Sequence, residues 1–562
     1  MIAGLPLSKL FTDNLNMRWL ENKQESILSA ASIITIATII SALSGVLVKR
    51  LLIAQFGFGP DLEAFWIAFQ IPDMMFQLII LGALSAAFIP IFTSRRKTDE
   101  QAAFKMSSIM MNLLLLVFIC IGVVVFIFAK QITLLRTGDK ITPEQIEIIT
   151  NLTRVMLLSQ FFFAISNFWT GILQSYHRFV IPALGSIMYN VGIMIGAYLF
   201  AQQYGIYAAG IGVVIGAFLH MGIQLPLVLK MGFRYAFTFD LRHDGIKEFF
   251  RLMPARFMAL GAGEMRKLAL GFFTTSLGNL SFSMMYLASN LMILPIRFTG
   301  TPLSQAALPF LSEESHHSES QHFRSLVLQS LNQISFLALP ASVLLLILRL
   351  PVVRFAYGAD GFPWEATLNT SWLVAIMTIS VAAQALVQLL IRAFYALKDT
   401  VTPFVITAID FILYCIIGGY LVFFTPFGIV GLAIATSVTA FVEFGLFLFL
   451  LNNKVKGLIN RDFWIPQTKM IVASFLMAVF LYLPYRILDG LVFNTTRTIE
   501  LIGLTITTGT IGMLVYLYFA ALFDIKELQI FTKFLSKFRQ KSKSLAQTPE
   551  VVVDTTIEDS GI

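Results

Sequence analysis

Residues 49–92 read KRLLIAQFGFGPDLEAFWIAFQIPDMMFQLIILGALSAAFIPIF. Two cations, Lys49 and Arg50, close a first apolar segment, and a Gly-Phe-Gly-Pro turn, Gly57 to Pro60, follows. A second long apolar segment then carries Glu63, is interrupted at Pro72-Asp73 and resumes through Gly82-Ala83-Leu84-Ser85-Ala86-Ala87. A helix that faces only lipid needs neither an acid nor a Pro-Asp break, because charge at membrane depth is costly and the backbone groups a proline frees must find protein or water. The stretch therefore predicts a membrane hairpin that handles something polar.

The rest of the chain extends the pattern. Of 562 residues, 57% are hydrophobic and 13% charged, whereas soluble domains run at about 25% charged; this excludes a soluble globule and points to a polytopic membrane protein. Apolar windows of the length that crosses a bilayer as helix, about 20 residues, fall at 27–53, 62–94, 104–129, 149–175, 180–203, 206–230, 249–276, 280–311, 326–349, 370–397, 403–424, 428–452, 468–488 and 500–523. These predict fourteen spans, the first retained, since it begins too late and runs too long for a cleaved signal peptide. Even-numbered connections carry Arg95-Arg96-Lys97, Arg178, Lys230 with Arg234 and Arg242, Arg324, Lys398, and Lys454 with Lys456 and Arg461. The odd connections after spans five, seven and eleven carry almost no charge. By the positive-inside rule both termini are cytoplasmic. The net charge of +8 is thus a matter of topology and implies no nucleic-acid partner.

The chain also repeats itself. Leu84 to Pro90 in span two reappears as Leu303 to Pro309 in span eight, the turn leading to Pro182 resembles the one leading to Pro403, and Gly205-Ile206 matches Gly428-Ile429, at spacings of 219, 221 and 223 residues. A common period identifies a duplication, and an even number of spans between copies makes the halves parallel, an arrangement that typically encloses a cavity and alternates its opening. The expected fold is all-α: a polytopic membrane protein with two parallel-related six-helix lobes plus two C-terminal helices. Its divisions are a cytoplasmic segment (1–26), an N-lobe (27–230), a linker (231–248), a C-lobe (249–452), spans thirteen and fourteen (453–524) and a tail (525–562), basic at first and then of a composition that predicts disorder.

The opening stretch resembles the signature of the MurJ/MviN lipid II flippases, whose second helix runs approximately as acidic-Ala-Phe-x-x-Ala-Phe-x-x-Pro and then x-Gly-Ala-x-Ser-x-Ala-Phe-x-Pro. Glu63-Ala64-Phe65, Ala68-Phe69, Pro72, Gly82-Ala83, Ser85, Ala87-Phe88 and Pro90 fall on it in order. Met253-Pro254-Ala255, Met285-Tyr286, Leu308-Pro309 and Arg392-Ala393-Phe394-Tyr395-Ala396 with Asp399-Thr400 and Thr402-Pro403 resemble the family's second half. The resemblance implies a member of the multidrug/oligosaccharidyl-lipid/polysaccharide exporter superfamily. Such a protein moves an undecaprenyl-pyrophosphate-linked peptidoglycan precursor across the bacterial inner membrane, alongside cell-wall synthesis machinery and without a cofactor. The departures are in charge. Where the family places cavity arginines on its first, second and eighth helices, this chain has Ala42, Val48, Phe76 and Asn290, and Ser289 and Leu81 replace acidic neighbours.

Each charge at membrane depth is a candidate for function. Span seven holds the densest set, Arg256, Glu264, Arg266 and Lys267. Glu264 and Lys267, three apart, can pair on one helix face, leaving Arg266 or Arg256 to replace the missing pyrophosphate-binding arginines. Lys49 and Arg50 either snorkel to headgroups or turn inward. Glu63, Asp73 and Ser85 belong to the signature helix, and Pro72 there favours a cavity-lining kink. Asn290 and Gln305 are cavity candidates or interhelical glue, and Asp410 and Glu443 are candidates for ion coupling or structural acids. Cys120 and Cys415 sit apart in apolar runs, and no metal-ligand spacing, phosphate-binding G-x-x-x-x-G-K-[ST] loop or nucleophile elbow occurs, so neither ATP-driven transport nor enzyme activity is expected. The expected substrate is lipid II, with membrane lipids as surroundings. The alternatives are another polyprenyl-linked polysaccharide or a drug on the same scaffold, or a non-transporting membrane scaffold.

Overall fold

The computed structural model describes residues 27–81, 88–240, 244–314, 321–489 and 498–529, without the side chains of 27–36, 79–81, 90, 244–260 and 498. The N-terminal segment, Ser85 and the tail beyond residue 529 lie outside the described residues, as does the side chain of Arg256. No strand occurs among the described residues.

The first half comprises α1 (Ile27–Phe56), α2 (Pro60–Met75), α3 (Ile89–Arg96), α4 (Glu100–Ile127), α5 (Ala129–Arg136), α6 (Pro143–Ser175), α7 (Val180–Tyr204), α8 (Tyr207–Gly222) and α9 (Leu225–Lys230). The second half comprises α10 (Asp244–Leu277), α11 (Ser281–Glu314), α12 (Gln321–Ile347), α13 (Arg349–Tyr357), α14 (Trp364–Thr378), α15 (Val381–Ala396), α16 (Val401–Phe423) and α17 (Ile429–Lys454). Helices α18 (Arg461–Ile487) and α19 (Thr498–Leu522) complete the chain.

Local chemistry sets the starts. Pro60 opens α2 with Asp61 and Glu63 in the first turn, where the helix dipole is positive. Asp99 caps α4 by accepting from Ala102 N, and Thr142 with Gln145 forms a capping box on α6. Pro72 cannot donate within α2. The Phe76 amide turns to both Asp73 O and Pro72 O, and a π-helical turn, Phe76–Leu81, follows.

Among the described residues ten helices are long and apolar enough to cross a membrane, eleven if α14 and α15, bent by 48° at their junction, form one span. Helices also occur among the described residues of the other three expected windows: α2 with the π turn and α3, then α10, then α11. Those three are the helices that carry Glu63, Asp73, Arg266, Lys267 and Asn290. By length and apolarity the described residues thus support ten to eleven crossings, short of the expected fourteen.

The duplication is written in the backbone. Gly57 (φ +73°) and Gly278 (φ +70°) break the chain after α1 and α10, and Gly205 (φ +52°) and Gly428 (φ +51°) stand before α8 and α17. His177 and Lys398 both take φ +59°, a left-handed conformation that costs a residue with a Cβ about 1–2 kcal/mol. Their turns share hydrogen bonds: His177 N to Gln174 O (2.9 Å) and Arg178 N to Leu173 O (3.0 Å) in one, Lys398 N to Tyr395 O (3.0 Å) and Asp399 N to Phe394 O (2.9 Å) in the other.

One apolar core lies within the first half around Phe88, Phe104 and Phe168, and another within the second half around Phe323, Phe394 and Phe447. A third, containing Leu52, Trp66, Phe282 and Tyr357, joins the halves at the end of the bundle that bears Gly57. Packing of α18 and α19 against α12 buries Met470, Met477 and Tyr516.

Candidate functional site

A cavity of about 500 Å³ lies between α1, α6, α7, α8 and α11. Helical spacing explains its walls. Ser41, Gly45 and Lys49 share one face of α1; Asn167, Thr170 and Gln174 share one face of α6; Asn290, Leu294 and Arg297 share one face of α11. Helix α7 adds Ser186 and Asn190, and α8 adds His220. The cavity runs from Lys49, near the Gly57 end, to Gln174, Phe179 and Pro182 at the α6–α7 turn. Ala42, where the resemblance places an arginine, lines it.

Lys49 and Arg297 are its charged members, one from each half, and the lining contains no carboxylate. Lys49 Nζ makes a long bond to Gly45 O (3.4 Å) and stands 5.9 Å from the Tyr286 ring. Tyr286 is stacked on Trp66 (5.3 Å) and on Phe282 (6.0 Å). Arg297 is exposed to the cavity and near enough to act electrostatically on Lys49. Neither cation has a carboxylate partner among the described residues. The neutral groups are held by their own helices or neighbours. Asn190 Nδ2 donates to Ser44 Oγ (2.7 Å), Asn290 Nδ2 to Tyr286 O (2.7 Å), and His220 Nδ1 meets Ser166 Oγ at 2.8 Å. Gly185 leaves room for that imidazole, since a Cβ there would fall 2.8 Å from its ring.

At the Gly57 end the halves are sealed together. Phe58 N donates to Gly361 O (2.9 Å), and the Phe58 and Phe362 rings meet edge to face at 4.8 Å. A Cβ on Gly361 would lie 2.7 Å from Ile53 O, so only glycine allows this approach. Buried Glu63 accepts from Ser283 N (3.3 Å) in the first turn of α11, where the dipole favours a carboxylate. Arg136 Nη1 donates to Gln70 Oε1 (2.8 Å), whose Nε2 donates to Lys267 O (3.2 Å), so α5, α2 and α10 are tied in series.

The span-seven residues point elsewhere. Glu264 and Lys267 pair at 2.8 Å, as their spacing predicts, and Lys267 also approaches Asp73 at 3.7 Å, linking α10 to α2. Arg266, expected to keep its charge for a ligand, does not. Its Nη1 lies 2.5 Å from Asp410 Oδ2, its Nη2 donates to Thr439 Oγ1 (3.2 Å), and its guanidinium sits 4.6 Å from the Tyr414 ring. It faces α16 and α17, away from the cavity lining. Arg50 is likewise a fastener: its Nη1 donates to Phe355 O (2.6 Å) in the last turns of α13, where carbonyls lack helical partners. Glu443 lies within electrostatic reach of Asp410 and Arg266 and has no bonded partner among the described residues. Gln305 is exposed and does not line the cavity. No group of acids, histidines and cysteines able to hold a metal occurs among the described residues.

Arg297 is the residue that sequence reasoning missed. The signal was present: an arginine inside the eighth apolar window, seven residues after Asn290 and so on its face of the helix.

With this geometry in hand, comparison with known proteins is specific. The "Probable lipid II flippase MurJ" of Buchnera aphidicola subsp. Acyrthosiphon pisum is 24% identical over 507 residues, covering 89% of this chain and 98% of that protein. Among solved structures, "Lipid II flippase MurJ, inward closed conformation" superposes with a TM-score of 0.70 at 24% identity, covering 89% of this chain and 99% of that one. An inward-facing multidrug resistance MATE family transporter of the MOP superfamily superposes with a TM-score of 0.63 at 13% identity, covering 74% and 95%. The family model described as "Lipid II flippase MurJ" matches residues 52–499, and the chain belongs to that family.

Proposed function

We propose that this chain is a flippase of the bacterial inner membrane that carries lipid II, the undecaprenyl-pyrophosphate-linked peptidoglycan precursor, from the inner to the outer leaflet. Lys49 and Arg297 are the cations that receive its pyrophosphate. One observation carries the assignment: two cations without carboxylate partners face each other across a cavity otherwise lined by neutral groups. An unpartnered cation at membrane depth costs several kcal/mol on the usual scales, about 2.5–3.5 for Lys or Arg at a helix centre. A diphosphate removes that cost for both at once.

The two cations come from different halves, which gives the binding step its mechanical consequence. Empty, they repel across the cavity; with a diphosphate between them, the repulsion becomes a bridge that draws α1 and α11 together. A ligand shifts a two-state equilibrium only through its different affinity for the two states, and a bridge between halves that rock against each other supplies that difference. The basic connections assign the α6–α7 end to the cytoplasm, with both termini, and the Gly57 end to the outside. In that orientation the cavity loads from the cytoplasm, behind the seal of Phe58, Gly361, Glu63 and Ser283. Hydroxyl-rich sugars match the amides of Asn167, Gln174 and Asn190. No covalent chemistry is required.

Ion coupling is placed in the second half. Asp410 is held by Arg266, whereas Glu443 on α17 has no bonded partner among the described residues and is the candidate for the coupled proton. A cationic drug is disfavoured as cargo, because the cavity lining offers no carboxylate. Another polyprenyl-diphosphate-linked glycan would use the same two cations.

The test is complementation of a flippase-depleted bacterium, read by the accessibility of lipid II at the outer face. The native chain restores it, and Lys49→Glu with Arg297→Glu does not. Restoration by the double variant removes the two cations from the mechanism. Failure of the native chain with export of a different polyprenyl-linked glycan reassigns the cargo, and failure of all transport leaves a membrane scaffold.

A further inference from the structure

A second cavity, of about 850 Å³, lies outside the transport route, where the first turns of α12 and α18 meet the segment after α19. Its polar wall holds Arg324, Arg461 and Lys526 together with Asp462, Asp524 and Glu527. Among the described residues none of these cations is ion-paired, either with the acids beside it or with any other. Arg324 Nε is buried without a hydrogen-bond partner. Glu527 is only 9% exposed and has no bonded partner among the described residues. Opposite charges that line one cavity without joining each other leave room for a counterpart carrying both signs.

The surroundings define that counterpart further. Ile465, Leu328 and Ile525 line the same cavity. Ile465 is 52% exposed and begins an outward apolar face of α18 that continues through Val472, Phe475, Val479 and Leu483, the pattern of a lipid-facing helix. Trp464, 56% exposed beside it, is the residue type that settles at the membrane–water boundary. The floor is fixed by a buried bond from Gln467 Nε2 to Asn332 Oδ1 (3.0 Å), and Lys469 Nζ is already committed to Phe523 O (2.7 Å). Basic pockets between membrane helices on the cytoplasmic side bind the phosphates of lipid headgroups.

We infer that this cavity binds the phosphoethanolamine headgroup of a membrane phospholipid, with the phosphate on Arg324 and Arg461, the ammonium on Glu527, and an acyl chain along α18. The site holds α12, α18 and α19 at a headgroup and is separate from the cargo cavity, so it stands whatever the cargo is.

Native mass spectrometry of the full chain, offered phosphatidylethanolamine, phosphatidylglycerol and phosphatidylcholine with identical short acyl chains, tests it. The native chain retains the ethanolamine lipid about fivefold over the glycerol lipid, the effect of one headgroup-level charge contact. Glu527→Gln abolishes that preference, and Arg324→Gln with Arg461→Gln lowers retention of both lipids about twentyfold, two such contacts. The charge-matched control, Lys97→Gln with Lys105→Gln on exposed positions of the first half, retains lipid as the native chain does. Equal retention of the two lipids by the native chain overturns the proposal without recourse to any variant. An undiminished preference in Glu527→Gln, or equal losses in the arginine pair and the control, overturns it as well.

Discussion

Two sets of cations, one on α10 and one along the cavity, are held in opposite ways. On α10, Arg266 is bonded to Asp410 and Thr439 and lies over Tyr414, and Lys267 is shared between Glu264 and Asp73. Along the cavity, Lys49 and Arg297 have only a long carbonyl bond, an aromatic neighbour and each other. The first set is satisfied by the protein and contributes to its stability. The second has no carboxylate partner among the described residues, and in the proposed mechanism a ligand supplies the anion. Charge at membrane depth marks a residue for attention, but the presence or absence of a partner decides what the charge is for.

The difference can be broken by substitution. The largest effect falls on the satisfied set. Arg266→Ala strands buried Asp410 and destabilises the protein by about 3–5 kcal/mol, whereas Arg266→Met with Asp410→Leu restores most of the loss. Thermal unfolding in detergent reads both, and a stable Arg266→Ala protein would show that the ion pair is incidental. Next comes the unsatisfied set. Lys49→Ala or Arg297→Ala each lowers lipid II transport about 10- to 100-fold, the worth of a hydrogen bond to a charged group, while the unfolding temperature stays level or rises because a repulsion has been removed. A large loss of stability in either variant would erase the distinction.

Smaller effects sharpen it. Gly361→Ala places a Cβ against Ile53 O, a clash worth about 1–3 kcal/mol that loosens the Gly57 seal. A Ser41→Cys reporter, with Cys120 and Cys415 replaced by alanine, should then react faster with an impermeant thiol reagent added outside. An unchanged rate would move the seal elsewhere. The smallest effect belongs to a satisfied pair outside the membrane. Partial burial works against ionisation of Asp399, but hydrogen bonds from Lys454 and Thr402 prevail and hold its carboxyl down to about 2, below the usual 3.8. A depressed carboxylate contributes stability above its unfolded value and loses it as pH falls through the folded one. Asp399→Asn therefore costs under about 1 kcal/mol at pH 6, since Lys454 is half-exposed, and the gap from the native protein narrows between pH 4 and 2. A gap that widens on acidification would reverse the sign of the contribution.

Much of the architecture was legible in the chain. Apolar windows located the helices, and the spacing between Pro182 and Pro403 announced a duplication that the paired turns at His177 and Lys398 display. The Glu264–Lys267 pair followed from helical geometry alone. What periodicity could not supply was the partner of each face. Arg266 and Lys267 are neighbours about 100° apart around one helix, and that rotation sends one to α16 and the other to α2. Arg297 lies two helical turns from Asn290, the position where the family resemblance places an arginine, on the same stripe of α11. Arg50 looked like Lys49 in the sequence, and only the position of α13 separates their roles.

The seal at the Gly57 end includes a bond between two main-chain groups, the amide of Phe58 and the carbonyl of Gly361, which asks little of the sequence beyond glycine at position 361. The cavity, by contrast, takes its charge from side chains. Opening and closing can therefore be inherited unchanged while recognition is rewritten, and a chain with Ala42 and Asn290 lining its cavity can carry its cations at other positions of the same two helices, α1 and α11, without rebuilding the gate. In such a transporter, gate and recognition site are free to follow separate evolutionary clocks.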